Sequence, residues 1–175
     1  MPSLPSSPFK HDNKFNRIKN EIASDLTRIH DLCGSGDEYL NKQSMYCLRV
    51  PQSDAYLKRD IKLLRNMFNG ESRVQPTWSF NGHKLGPSIM FFFAFAYSPI
   101  NGSNGDVIRI EQKAFTLPDK ILSGVILHEA THFVLGTVDH VYNWPYNKFN
   151  KSTEVYENAD NWRIFYQRMR TYLRG

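Results

Sequence analysis

Ile121-Leu122-Ser123-Gly124-Val125-Ile126-Leu127-His128-Glu129-Ala130-Thr131-His132-Phe133-Val134-Leu135-Gly136 is the stretch on which the fold turns. Pro118 and Asp119 stand just before it, where a first helical turn accepts a proline and favours an acid. Ile121, Val125, Leu127 and Ala130 keep the apolar spacing of a helix up to about Leu135, and Gly136 supplies the stop. His128 and His132 are four residues apart, so both imidazoles lie on one face, a turn apart. Two nitrogens converging from one rigid helix suit a tetrahedral zinc ion. Glu129 follows the first histidine and stands in the same cleft, beside the metal. There it serves as base toward a metal-activated water and then as acid toward the leaving amine. The motif is short enough to arise by chance. The apolar run before it and the glycine after it favour a buried catalytic helix over a surface helix with two ordinary histidines.

A catalytic zinc keeps three protein ligands and one open position, so the chain must supply one more. The metzincin arrangement would require glycine at 135 and histidine at 138, and those positions hold Leu135 and Val138. Asp139 and His140, just past the turn at Gly136-Thr137, are the nearest candidates, and Glu154 and Glu157 on a later helix are the others.

The segment Gly136-Thr137-Val138-Asp139-His140-Val141-Tyr142 resembles the Gly-Thr-x-Asp-x-x-Tyr signature of the aspzincins, the deuterolysins and peptidyl-lysine metalloendopeptidases. The resemblance implies Asp139 as third zinc ligand and Tyr142 as a phenol that stabilises the tetrahedral oxyanion, a use of a positioned donor that stands on its own terms. Asn158-Ala159-Asp160-Asn161-Trp162 is similar to a second element of the same family, and residues 107–115 fit the strand before its catalytic helix. The likeness covers about residues 105–168. The chain departs from the family in three places. The link from His132 to Asp139 is shorter than in the fungal members, Asn143 replaces the glycine after the tyrosine, and Arg163 stands where lysine-specific members carry an acid. Asp160 is therefore open to two roles, binding a substrate lysine or hydrogen-bonding the loop or a metal-ligating histidine.

Around this centre the chain reads as helix, sheet, helix. Residues 1–12, rich in Pro and Ser, read as a flexible leader, and 13–175 as one domain. Phe15, Ile18, Ile22, Leu26, Ile29 and Leu32 recur at helical spacing until Gly34 and Gly36. A second helix starts at Ser53 as N-cap and carries Leu57, Ile61, Leu64 and Phe68 up to Asn69-Gly70. Residues 78–80 before the turn signal Asn81-Gly82, the Phe-rich run 89–97, and Val107-Ile108-Arg109-Ile110 read as short strands joined by hairpin-like connections. A short buried helix is the alternative for 89–97. Residues 143–153 read as a loop, and a final helix as running from about Val155 to Leu173.

Composition sets the outer bounds. The chain has 175 residues, 41% apolar and 22% charged, which suits one globular domain and excludes wholesale disorder. The formal net charge of +5 comes from dispersed residues without a Lys/Arg block, so nucleic acid is not expected as a partner. Cys33 and Cys47 either close a small loop or remain two thiols. Residues 1–14 lack the apolar core of a secretory signal, and the longest apolar run is too short to span a bilayer.

The expected fold is α+β, a zincin-like domain with a small, mostly antiparallel sheet on the catalytic helix, N-terminal helices and a C-terminal helix. The expected function is zinc-dependent peptide hydrolysis with His128, His132 and Asp139 on one zinc ion, Glu129 and Tyr142 catalytic, and Asp160 toward substrate. A monomer acting on protein or peptide, secreted or delivered outside the producing cell as an effector or toxin with a cognate inhibitor or immunity protein, fits this reading. An amidase or endopeptidase on peptidoglycan stems is the first alternative, and a non-catalytic metal-binding interaction module the second.

Overall fold

The computed structural model describes residues 11–80, 94–96, 106–140 and 152–175. The first helix, α1 (Asp12–Leu32), buries Phe15, Ile18, Ile22, Leu26 and Ile29 along the stripe expected from their spacing. Each such side chain contributes roughly 1.5–3 kcal/mol on burial, so the stripe rather than intrinsic propensity holds the helix in place. α1 opens at Asp12, and His11 before it stacks on Phe115 with centroids 5.1 Å apart. Residues 1–10 lie outside the described residues.

A helix not expected from the sequence follows, α2 (Glu38–Leu48). Asp37 caps it by accepting from the Leu40 N–H at 2.7 Å. Its buried face mixes Leu40, Cys47 and Leu48 with Gln43 and Ser44, so no clean apolar stripe marks it. The next helix, α3 (Ala55–Phe68), buries Leu57, Ile61, Leu64 and Phe68 as expected. Its cap is Asp54 rather than Ser53, the carboxylate accepting from Tyr56 and Leu57 N–H at 2.8 and 3.0 Å.

Three short strands follow, β1 (Thr77–Ser79), β2 (Ala94–Ala96) and β3 (Val107–Ile110), in the spatial order β1-β3-β2. The expectation of a mostly antiparallel sheet is corrected here. β1 runs parallel to β3, with Thr77 opposite Val107, and only β2 is antiparallel to β3. Among the described residues β1 pairs with a strand almost thirty residues on, and the Asn81-Gly82 turn signal lies outside them. A connection of that length permits a parallel crossover. Within the Phe-rich run, 94–96 is strand as expected, and 89–93 and 97 lie outside the described residues.

The helix α4 (Asp119–Leu135) is central, packing against α1, α3, α6, β2 and β3. It is buried nearly all round, and a helix apolar on every side belongs in a core. At Gly124 an added Cβ would stand 2.3 Å from the Gln167 Nε2, so α6 approaches α4 closely there. Gly136, at φ 68°, ends α4 in the left-handed region as its sequence position requires.

The expected single C-terminal helix is two helices, α5 (Ser152–Glu157) and α6 (Ala159–Arg174). The break at Asn158 allows residues 138 and 158 to form a parallel bridge, with Val138 N–H donating to the Glu157 carbonyl at 2.9 Å and Ala159 N–H to the Val138 carbonyl at 3.1 Å. Tyr156 donates to Asp60 at 2.8 Å, which ties α5 to α3. Cys33 and Cys47 are free and buried, and burial pushes their thiols up to about 11 and about 12. Burial of this kind disfavours the thiolate form of both. No helix among the described residues is long and apolar enough to cross a membrane.

An ion cluster locks α6 to α1. Asp25, 1% exposed, accepts from Tyr166 and Arg170 at 2.9 Å on one oxygen and from Arg174 at 2.9 Å on the other. Arg170 also reaches Glu21 at 2.6 Å. Removing one partner of a buried pair leaves an uncompensated charge, at a cost of about 3–5 kcal/mol. Asp25→Ala should lose about 3 kcal/mol, the low end because Glu21 still faces Arg170, and urea denaturation of the two proteins checks it.

Candidate metal centre

His128 and His132 stand where the helix placed them, with ring centroids 4.8 Å apart. Their Nε2 atoms are 3.2 Å apart. The Asp139 Oδ1 lies 3.1 Å from His128 Nε2 and 3.3 Å from His132 Nε2. Ligand atoms about 2.0–2.1 Å from a tetrahedral zinc are separated by roughly 3.3–3.5 Å. The triangle therefore has nearly the edge lengths of three corners of such a tetrahedron. Among the described residues these three form the one group of His, Cys, Asp and Glu able to hold a metal ion. His140, Glu154 and Glu157 are not in it.

The chemistry of the donors fits as well as the spacing. His132 Nδ1 lies 2.7 Å from the Thr137 carbonyl. A carbonyl only accepts, so Nδ1 carries the proton and the Nε2 of the neutral ring turns its lone pair toward the other two donors. The Asp139 carboxylate supplies an anionic oxygen. Burial opposes protonation of His132, but the hydrogen bonds to Asp139 and Thr137 and the nearby Glu129 outweigh it, and its pKa is raised. Protons thus compete with a metal for this nitrogen. His128 and Glu129 are 7% and 6% exposed, whereas Asp139 keeps a third of its side chain open. The centre consequently has a closed side along α4 and an open side at the loop.

The loop is fastened to α4 by two hydroxyls. Thr131 Oγ1 donates to the His128 carbonyl at 2.7 Å and lies 2.8 Å from Thr137 Oγ1. Both threonines are buried, so the turn after Gly136 folds back over the end of the helix. This is how the short link still delivers Asp139 to the two histidines.

Burial pushes the Glu129 carboxyl up to about 7, assisted by Asp139 and opposed by the two imidazoles. In the metal-free fold this places a buried acid that can hold a proton directly beside the candidate metal site. Asp160 is 2% exposed, and Arg163 donates to it at 2.5 and 3.1 Å. Its Oδ1 also stands 3.9 Å from His128 Nδ1. Tyr142 lies outside the described residues.

Sequence reasoning missed Thr131, Thr137 and Asn158. The available signal was two hydroxyls six residues apart, one in the last turns of α4 and one just past Gly136. In comparisons with known proteins, no family model and no curated protein matches the chain.

Proposed function

We propose that this chain is a zinc-dependent metallopeptidase of zincin-like, aspzincin type. The observation that carries the reading is the triangle of His128, His132 and Asp139 donor atoms, 3.1–3.3 Å on a side, with buried Glu129 next to it. Zinc, when bound, would supply a Lewis acid that acidifies water and polarises the scissile carbonyl. Glu129 takes the proton of the attacking water and passes it to the leaving amine. His132 is held in the metal-binding tautomer by the Thr137 carbonyl. The aspzincin likeness assigns Tyr142 to the developing oxyanion.

For Asp160 the geometry favours a role within the fold, paired with Arg163 beside His128, over capture of a substrate lysine. The carboxylate is buried, is neutralised by Arg163, and faces the ring nitrogen turned away from the metal side. At 3.9 Å the pair with His128 is an electrostatic contact and not a hydrogen bond. Nothing about this pairing selects lysine.

The test is metal content together with cleavage. The purified chain should bind one equivalent of zinc and release peptides from casein, with both lost to chelator and regained with zinc. Release from purified sacculi with casein left intact would move the assignment to peptidoglycan stems. Bound zinc without hydrolysis of a broad peptide library would leave a metal-binding interaction module.

A further inference from the structure

Asn158 precedes α6 at the position where asparagine ordinarily caps a helix by accepting from a first-turn amide. Here its side chain makes no capping bond. Its Oδ1 instead accepts from the His140 N–H at 2.9 Å, one residue beyond Asp139. Its Nδ2 donates to Asn161 Oδ1 at 2.7 Å, and Asn161 Nδ2 donates to the Cys47 carbonyl at 2.9 Å. Both asparagines are wholly buried. A relay of amides therefore runs from the end of α2, through the first turn of α6, to the loop that carries Asp139.

The loop is gripped on both sides of the aspartate. Val138 is held through its main chain by Glu157 and Ala159, and His140 by the Asn158 side chain. Asp139 between them is a third exposed, so burial alone does not fix it. An exposed carboxylate on a surface loop ordinarily samples several positions. This one stands within 3.1–3.3 Å of two ring nitrogens, so its backbone must be located by its neighbours.

We propose that Asn158 is a positioning residue for the metal ligand Asp139, its Oδ1 pinning the His140 amide so that the aspartate carboxylate stands against His128 and His132. The inference rests on Asp139 being a ligand. It explains why the C-terminal helix breaks at 158, since an unbroken helix would have kept that backbone within its own bonds and left the loop without its bridge.

Zinc affinity of the full chain, read by competition with a chromophoric chelator, is compared with thermal stability of the zinc-free protein. Asn158→Ala should raise the zinc dissociation constant roughly 10- to 100-fold, the range for groups that orient a ligand. Asn158→Ser supplies a helix cap that the wild type lacks but is one bond too short to reach His140. It should recover stability relative to Asn158→Ala while zinc affinity stays weak. A purely structural asparagine predicts the reverse, with affinity returning alongside the cap. Wild-type zinc affinity in either folded variant overturns the proposal. In the zinc-free wild type, the His140 amide should exchange with solvent as slowly as amides of α4, and exchange at the rate of an unstructured peptide overturns it without any variant. Failure of the wild type to bind zinc is a separate result that removes the metal reading of Asp139, and this proposal with it.

Discussion

Glu129→Gln should retain one zinc ion and lose peptide hydrolysis by about 100- to 10,000-fold, the span that positioned acid–base groups contribute. Glutamine keeps the volume and much of the hydrogen bonding of glutamate but cannot accept and return a proton at neutral pH. His128, His132 and Asp139 are untouched, so zinc content and affinity should remain. The same variant gives a second readout. In the metal-free fold the Glu129 carboxyl is raised from 4.5 to about 7, chiefly by burial. A raised folded-state value means that the native protein holds this proton more tightly than the unfolded chain does. The resulting stability is complete below pH 4.5 and is lost as pH climbs through about 7. At roughly 1.4 kcal/mol per pH unit, the loss is on the order of 3 kcal/mol. Glutamine has no such proton, so zinc-free Glu129→Gln should pass the wild type in stability between pH 5 and pH 8. Denaturant titrations across that interval, with peptide assays on the zinc-loaded forms, measure both effects. An active Glu129→Gln protein would remove Glu129 from the chemistry.

The parts of the molecule that could be read from the sequence are those in which one local rule dominates. Pro118, the apolar run and Gly136 bound α4 at the residues the structure gives. The stripes of α1 and α3 behave likewise. What escaped was decided by partners distant in sequence. Gln43 and Ser44 are buried in α2, where a periodicity argument expects apolar residues. The apolar spacing continues from Val155 through Trp162 to Phe165 and Met169, so nothing in it marks the break at Asn158. That break accommodates Val138, which bridges it from about twenty residues away. Alternation in Val107–Ile110 identifies a strand but cannot say that its neighbour β1 runs parallel.

The site divides in the same way. The two histidines were legible because helical spacing is itself geometry. Asp139 came from a motif likeness, since nothing local shows a loop carboxylate returning to a helix. Residue type alone leaves Asp160 open to substrate or to a structural hydrogen bond, and its buried pairing with Arg163 appears only once α6 is packed.

Asp139→Ala and His140→Ala should part widely in zinc affinity. Asp139→Ala removes one corner of the donor triangle and its charge, and should weaken zinc binding by more than the roughly 100-fold seen for groups that only orient ligands. The zinc-free fold should barely notice, because a third of that side chain is already in solvent. His140→Ala removes an imidazole that does not belong to the donor group but keeps the backbone N–H that Asn158 accepts. Its zinc affinity should stay within about twofold of wild type, in line with the roughly 0.5 kcal/mol typical of surface substitutions. Chelator competition on both variants decides between the two neighbours. Retained zinc in Asp139→Ala with loss in His140→Ala would exchange the ligand, which would require the loop to turn over by one residue and release the His140 amide from Asn158. The bridge at Val138 and the bond at His140 both oppose that movement, which favours the oxygen of Asp139 over the ring of His140 as third donor of the proposed centre.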